Sequence, residues 1–195
     1  MTPDSPTATE TPAAHRVAVP PARVLLLPGW QDSGPTHWQS RWEALHGFRR
    51  VQQDDWLWPR RGDWLARLDE VLLEDATPVV LVAHSLGCLT VAAWAAHSRH
   101  TARVRAALLV APPDIERGSA PPQVQRWSPI VRQRLPFASL VVASSDDPNC
   151  DVTRAASMAA DWGSQWLLLG AHGHLNGESG LGDWDEGLAL LRSMS

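Results

Sequence analysis

The sequence lacks lysine and tyrosine, two residues on which several classes of enzyme depend. All 17 basic residues are arginine, and no phenol side chain is present. Without lysine, the chain cannot form a Schiff base with pyridoxal phosphate, complete a Gly-Lys phosphate loop, build a Ser-Lys dyad or supply the lysine of a kinase. Without tyrosine, proton transfer through a phenol is excluded as well. Serine, histidine and aspartate are therefore the residues among which we look for a catalytic set.

Cysteine is scarce, and long apolar runs are absent. Cys88 and Cys150 are too few for a disulfide framework or a Cys-rich zinc site and predict a reduced compartment, so we expect a cytoplasmic protein. The apolar runs, such as residues 79–83, have the length of a strand, and no association with a membrane is expected. The net charge of −4 and the scattered arginines give no basic surface for nucleic acid.

The first residues differ in composition from the rest of the chain. Residues 1–22 are rich in proline, threonine and alanine and have no basic start followed by an apolar run, so we expect a disordered leader and not a signal peptide. The length of 195 residues suits a single domain, which we predict over residues 23–195.

From Arg23 onwards, short apolar runs alternate with longer amphipathic stretches. Strands are predicted at residues 23–27, 48–52, 78–83, 104–111, 140–144 and 166–169. Helices are predicted at residues 37–45, 63–73, 86–97, 154–162 and 183–192. Because continuous Val/Leu/Ala runs are typical of strands buried on both faces, the pattern predicts an α/β fold with a mostly parallel sheet covered by helices on both faces. Residues 115–136 form one long irregular connection, which is often a functional flap.

A strand-to-helix turn at residues 83–87 supplies the candidate nucleophile, Ser85. A serine on such a turn exposes its hydroxyl at the top of the sheet, and the turn requires small residues two positions before and after it, as Ala83 and Gly87 are. The backbone N–H of Leu86 opens the following helix and is a candidate donor to an oxyanion. A serine at this position is also a common helix N-cap, so the assignment depends on the strand and helix around it.

The candidate acid and base follow the last two strands. Asp147, which precedes a proline, is the preferred acid and Asp146 the alternative, because either carboxylate can instead form the turn. His174 is preferred over His172 as the base. The His172-x-His174 pair also fits a metal site, but no third ligand lies at a suitable spacing, so we expect no metal and no cofactor. The order serine, aspartate, histidine is that of the α/β-hydrolase triad.

Further candidates lie in the loop after the first strand and beside the nucleophile. Gly29 permits a turn there, and the backbone N–H of Trp30 is the candidate second oxyanion donor. Among the other histidines, we expect only His84, which flanks Ser85, to contribute to the substrate pocket. His37 and the rest are expected at surface or helix positions.

The sequence has 11 tryptophans, several of them near the proposed site. A chain without room for a cap domain needs another apolar lining for its cleft, although some of these side chains must simply pack in the core. We therefore expect Trp30 and at least one of Trp56 and Trp58 to line the substrate pocket.

In combination, these segments resemble a known family. They are Pro28 to Pro35 with His37-Trp38, Asp54-Asp55-Trp56, Ala83 to Gly87, Asp146-Asp147-Pro148 and Gly173 to Asn176. Over residues 23–193 the chain is similar to small serine hydrolases related to retinoblastoma-binding protein nine and the bacterial YdeN proteins. The resemblance implies a compact α/β-hydrolase fold without a large cap domain, and Ser85, Asp147 and His174 as the triad. The chain departs from the pattern at Ala83, which leaves the chemistry in place.

Residues and resemblance together predict a serine hydrolase, a carboxylesterase that cleaves a small ester through an acyl-enzyme. Its expected partner is a small-molecule acyl substrate. Thioester or amide hydrolysis on the same triad stays open, because the sequence does not define the acyl chain or the leaving group. No protein partner is indicated, but the human relative is named for one, so a non-catalytic binding module that retains the fold stays open too.

Overall fold

The structure is a computed structural model, and it describes residues 22–194. The predicted leader, residues 1–22, lies outside the described residues except for Ala22. Six parallel strands form one sheet in the order β2-β1-β3-β4-β5-β6. The strands are β1 (Arg23–Leu27), β2 (Arg49–Arg50), β3 (Val79–His84), β4 (Val104–Val110), β5 (Ala138–Ser144) and β6 (Gln165–Leu169). The helices are α1 (Trp38–His46), α2 (Arg61–Leu73), α3 (Leu86–His97), α4 (Pro122–Gln125), α5 (Val152–Trp162) and α6 (Asp185–Ser193).

The strands send alternate side chains into two cores, one on each face of the sheet. In β3, Val79, Leu81 and Ala83 lie in one core, whereas Val80 and Val82 lie in the other. Helices α2, α3 and α5 contribute to the first core, and α1 and α6 to the second. The predicted α/β fold, with a parallel sheet and helices on both faces, is therefore confirmed.

The observed elements differ from the predicted ones mainly at the edge of the sheet and in the long connection. Strand β2, an edge strand beside β1, pairs through only two residues, whereas five were predicted at positions 48–52. The connection between β4 and β5 contains the short helix α4, which begins on a proline at its first turn, a favourable helix start. Residues 111–137, which form this connection, hold no cap domain. Among residues 22–194, no helix has the length and apolar character needed to cross a membrane.

The sheet order locates the cleft. From β1 the chain passes outward to β2 on one side, whereas from β3 it proceeds through β4, β5 and β6 on the other. In an open α/β sheet, such a reversal leaves a crevice beyond the carboxyl ends of the two strands at which it occurs. The loops that follow β1 and β3 therefore meet at this crevice.

Candidate active site

Ser85 occupies a strained turn between β3 and α3. Its backbone has φ +53° and ψ −122°, a conformation that side-chain-bearing residues rarely adopt and that costs about 1–3 kcal/mol. The Ser85 N–H donates to the carbonyl of Val110 over 2.9 Å, which ties the turn to β4. Although Ser85 stands at the N-cap position, its side chain does not cap the helix. The hydroxyl is instead available to partners above the sheet.

Two glycines allow the loop after β1 and the start of α3 to approach each other closely. A Cβ on Gly87 would lie 2.2 Å from the carbonyl oxygen of Leu27, so any side chain would push α3 away from β1. A Cβ on Gly29 would lie 2.7 Å from the Cβ of Ser85 and 3.2 Å from the backbone nitrogen of Leu86. The small residue required two positions after the serine, Gly87, is therefore needed because α3 packs directly against the end of β1.

His174 and Asp147 complete a hydrogen-bonded line to the serine. The Nε2 atom of His174 lies 2.8 Å from the Ser85 Oγ, and its Nδ1 lies 2.9 Å from both carboxylate oxygens of Asp147. The Asp147 side chain is only 2 % exposed, and the backbone N–H of Asn149 donates to it over 2.8 Å. With Nδ1 donating to the carboxylate, Nε2 is free to accept the hydroxyl proton.

Asp146, the alternative acid, has a different set of partners. Its carboxylate accepts from the Ser144 hydroxyl over 2.7 Å and from the backbone N–H of Gly173 over 2.8 Å. These two hydrogen bonds lower the pKa of the exposed Asp146 carboxyl. The structure thus brings Asp147 to the imidazole and uses Asp146 to tie the histidine loop to the end of β5.

The loop that carries His174 is anchored on both sides of that residue. Gly173 has φ +57°, which lets the chain turn. The carbonyl of His174 lies 2.9 Å from the Nε2 of His84, and the next carbonyl, of Leu175, accepts from the Trp38 indole over 2.8 Å. The Leu175 side chain is fully buried in the second core. These contacts hold the imidazole over Ser85.

The two candidate oxyanion donors lie at the same end of the cleft. The N–H of Leu86 is the first of α3 and has no acceptor within the helix. Trp30 stands next to Gly29, and its indole donates to the carbonyl of Leu57 over 2.9 Å. The following N–H, of Gln31, donates to the carbonyl of Trp56 over 3.0 Å. The segment after β2 therefore supports the loop that presents the Trp30 N–H.

Arg50, on β2, fixes the far side of that loop. Its guanidinium, in a side chain only 7 % exposed, donates to the carboxylates of Asp32 over 2.6 Å and Glu43 over 2.9 Å. It also reaches the Ser40 hydroxyl over 2.6 Å and the Ser33 carbonyl over 3.0 Å. A planar five-donor group is suited to joining so many acceptors. Nothing in the sequence pattern identified this residue as part of the site.

A cleft of about 390 Å³ opens beside Ser85. Its lining includes Trp30 and His84, as expected, together with residues from the long connection between β4 and β5, among them Ile115, Ala120 and Val124. That connection contributes one wall of the cleft.

The expectation that Trp56 or Trp58 lines the cleft is wrong. Trp56 turns away from the cleft and packs edge-on against Trp64 of α2, with ring centroids 5.3 Å apart. Trp58 is 54 % exposed and borders a separate surface cavity with Arg60 and Arg126. Both follow the edge strand β2, and Trp56 contacts the loop at Trp30 through its backbone carbonyl, which accepts from the Gln31 N–H.

His37 occupies a position that the sequence did not indicate. It is the N-cap of α1, so the expectation of a helix position holds, but it is only 4 % exposed and lines the cleft. His172, by contrast, is exposed and donates its N–H to the Ser144 hydroxyl over 2.9 Å. Within residues 22–194, no group of three or more His, Cys, Asp or Glu side chains is arranged to hold a metal ion.

Comparisons with known proteins identify the family and the fold. The family model described as "Serine hydrolase" matches residues 24–193. A YdeN-like hydrolase from Pectobacterium atrosepticum is 30% identical, with a TM-score of 0.78 over 89% of this chain and 90% of that one. The ydeN product of Bacillus subtilis is 20% identical, with a TM-score of 0.68 over 89% and 98%. An esterase from Rhodococcus sp. is 17% identical, with a TM-score of 0.64 over 88% and 89%, and like the preceding protein it shows the fold alone. No curated protein sequence matches the chain significantly.

Proposed function

The chain belongs to the serine hydrolase family, and we propose that it hydrolyses a small carboxylic ester through an acyl-enzyme on Ser85. The observation that carries the proposal is the continuous hydrogen-bonded line from Asp147 through His174 to the Ser85 hydroxyl, with heavy-atom distances of 2.9 and 2.8 Å. These distances are within the range that a nucleophile and its base require.

In the first half of the reaction, the Ser85 Oγ attacks the carbonyl carbon of the ester while His174 Nε2 takes the hydroxyl proton. The carbonyl oxygen becomes an oxyanion, which the backbone N–H groups of Leu86 and Trp30 stabilise. Asp147 keeps the proton of His174 on Nδ1 and stabilises the imidazolium that forms. The tetrahedral intermediate then breaks its bond to the alcohol oxygen, which leaves with the proton from Nε2.

In the second half, water replaces the alcohol. His174 takes a proton from the water, whose oxygen attacks the acyl carbon of the ester on Ser85. Collapse of this second intermediate breaks the bond to the Ser85 Oγ, which recovers its proton from Nε2. The products are one carboxylic acid and one alcohol, and the enzyme returns to its starting state.

The size and lining of the cleft support a small substrate. A volume of about 390 Å³ lies near the lower end of the usual range for small-molecule sites, about 300–1,000 Å³. The apolar side chains of Ile115, Ala120 and Val124 suit a short acyl chain. Esterase activity of a protein with the same fold, from Rhodococcus, adds support for an ester as the substrate.

A serine-directed fluorophosphonate tests the assignment of the nucleophile. We expect the folded protein to be labelled at Ser85, and Ser85→Ala to lose labelling together with at least about 10⁴-fold in kcat on a short-chain nitrophenyl ester. Ser145→Ala, which removes an exposed hydroxyl in the loop before Asp147, is the control and should keep both. Labelling at another residue, or full turnover by Ser85→Ala, would contradict the assignment.

A set of substrates tests the reaction. An ester, a thioester and an amide with the same acyl group compare the leaving groups directly, and the proposal expects the ester to have the highest kcat/KM. A thioester or amide preference would replace the carboxylesterase assignment. A folded protein that neither reacts with the probe nor turns over any of the three would instead favour a binding module.

A further inference from the structure

Two buried histidines outside the triad form a hydrogen-bonded line that ends on the backbone of His174. His37 and His84 are 4 % and 5 % exposed. The Nε2 of His37 lies 3.3 Å from the Nδ1 of His84, and the Nε2 of His84 lies 2.9 Å from the carbonyl oxygen of His174. The two rings meet edge-on, with centroids 4.6 Å apart.

The contacts at the two ends determine where the protons lie along this line. The backbone N–H of Gln39 donates to the Nδ1 of His37 over 3.1 Å, so that nitrogen carries a lone pair and the proton is on Nε2. Nε2–H then donates to the Nδ1 of His84, which places the proton of His84 on its own Nε2. That proton faces the carbonyl of His174, which can only accept. Both histidines are therefore neutral Nε2–H tautomers.

A second proton on either ring would set two N–H groups against each other. On the Nδ1 of His37 it would face the Gln39 N–H, and on the Nδ1 of His84 it would face the Nε2–H of His37. Burial, followed by the charge of Arg50 and the presence of His174, lowers the pKa of His37 to about 3. Burial, followed by His37 and His174, holds the pKa of His84 well below its usual value. Apart from the His174 carbonyl, the groups acting on the pair are thus Arg50 from β2 and the His174 ring from the last loop.

We propose that His37 and His84 are positioning residues. They hold the His174 backbone so that its Nε2 stays within hydrogen-bond distance of the Ser85 Oγ, as proton transfer from Ser85 requires. The inference rests on the proposed function of the triad. His174 lies beside a glycine with positive φ, and the His84 contact acts directly on its own peptide group, whereas the Trp38 indole holds the next one. Without the His84 donor, the His174 peptide loses its own hydrogen bond while Gly173 and Leu175 keep theirs, so a small shift at His174 becomes possible. A displacement of about 1 Å in a reacting group lowers a rate by about 10²-fold.

Two substitutions of His84 distinguish the effect of its hydrogen bond to the His174 carbonyl from the effect of its side-chain volume. His84→Gln places an amide N–H near the position of Nε2 and keeps the donor, whereas His84→Leu fills the space without one. We expect His84→Leu to lose about 10- to 100-fold in kcat with little change in KM, and His84→Gln to recover most of that loss. Equal kcat values for the two variants would overturn the proposal.

A substitution of His37 tests the far end of the line. His37→Asn keeps an acceptor for the Gln39 N–H, because asparagine is a favourable N-cap, but cannot reach His84. We expect a smaller loss, about 3- to 10-fold in kcat, since the His84 donor remains but is no longer oriented. His97→Gln, on the exposed side of α3, is the matched control and should keep wild-type kcat. A His37→Asn variant with wild-type kcat would remove His37 from the proposal.

Nitrogen-15 NMR of the histidine side chains in the wild-type protein tests the proton positions without any variant. We expect His37 and His84 to give the signals of neutral Nε2–H tautomers from about pH 8 down to pH 5. A charged ring or an Nδ1–H tautomer for either residue in that range would overturn the proposal. Failure of the proposed function is distinguishable, because Ser85 would then escape labelling while the tautomers remain as described.

Discussion

At the scale of single residues, Asp146 and Asp147 show how adjacent carboxylates acquire different functions. Only Asp147 contacts the imidazole of His174, so Asp147→Asn should favour the wrong tautomer and lower kcat by about 10⁴-fold. Asp146→Asn loosens the loop through Ser144 and Gly173 and should lower kcat by less than about tenfold. Steady-state kinetics of both variants on one ester give the comparison, and a larger loss in Asp146→Asn would reverse the assignment.

The strained backbone of Ser85 leads to a second prediction, which concerns stability. Ser85→Ala and Ser85→Gly both remove the nucleophile, but only glycine adopts a φ of +53° without strain. We expect the glycine variant to be more stable than the alanine variant by about 1 kcal/mol, because relief of strain exceeds the extra entropy of the unfolded chain. Urea unfolding of the two variants measures the difference. Greater stability of the alanine variant would show that the turn is unstrained.

The sequence indicated the triad candidates better than the residues around them. Ser85, Asp147 and His174 each follow a strand, and carboxyl ends of parallel strands meet at one edge, so chain order alone brings them together. The position of His37 depends on how α1 packs across the sheet, which no local pattern encodes. The orientation of Trp56 likewise depends on its contact with α2, so its absence from the cleft lining was not predictable.

At the scale of elements, the short strand β2 carries two neighbouring arginines in unequal environments. Arg50 is buried among Asp32, Glu43, Ser33 and Ser40 and supports the loop after β1. Arg50→Lys keeps the charge but loses the planar guanidinium with its five N–H donors. We therefore expect a loss of about 1–3 kcal/mol in the free energy of unfolding and a lower kcat.

Arg49 provides the matched control for that substitution. Its side chain is 47 % exposed and pairs with Glu74 at the surface. Exposed pairs contribute little, so Arg49→Lys should change the free energy of unfolding by less than about 0.5 kcal/mol. Denaturant unfolding and ester kinetics of the two lysine variants test the contrast, and equal effects would mean that the buried network does not support the loop.

The close packing of α3 against the end of β1 gives a fourth prediction. It compares Gly87, where a Cβ has no space, with Gly62, where a Cβ would meet no other atom. Gly87→Ala would place a Cβ 2.2 Å from the Leu27 carbonyl and should destabilise the protein by about 3 kcal/mol, because backbone has to move. Gly62, in α2, has no atom within 4 Å of such a Cβ, so Gly62→Ala should stabilise the protein by about 0.5–1 kcal/mol. Thermal unfolding of both variants measures the two signs, and a neutral Gly87→Ala would contradict the close packing.

Most element boundaries followed from apolar periodicity, and the exceptions have local causes. The buried strands β3 and β5 carry continuous apolar runs and were visible in the sequence. Strand β2 is shorter than predicted, because the backbone pairs with β1 only at Arg49 and Arg50. Helix α4 was missed because it has only four residues, although the proline pair at positions 121 and 122 is a helix-start signal.

At the scale of the whole molecule, the site depends on both cores. Asp147 and His174 follow strands β5 and β6, whereas Ser85 opens α3 on the first core and His37 opens α1 on the second. The line from His37 through His84 to His174 therefore connects helix packing on one face with the nucleophile turn on the other.

The same buried histidines make the stability of the whole protein depend on pH. In the folded state the pKa of His37 is lowered from 6.5 to about 3, so the unfolded chain binds an extra proton between those values. Stability is therefore complete above about pH 6.5 and falls as the pH decreases towards 3, by up to about 1.4 kcal/mol per pH unit for this residue.

We expect His37→Asn to abolish that part of the pH dependence. Asparagine does not titrate, so the variant should lose about 2 kcal/mol less than the wild type between pH 7 and pH 5. Urea unfolding at a series of pH values gives the free energies, and constant m values show that the unfolded state is comparable. Asp and Glu side chains titrate mainly below this window, and the other histidines occur in both proteins, so the difference reports on His37 together with its effect on the neighbouring His84. Equal pH dependence of the two proteins would mean that His37 is protonated in the folded state, and the neutral line to His174 would have to be abandoned.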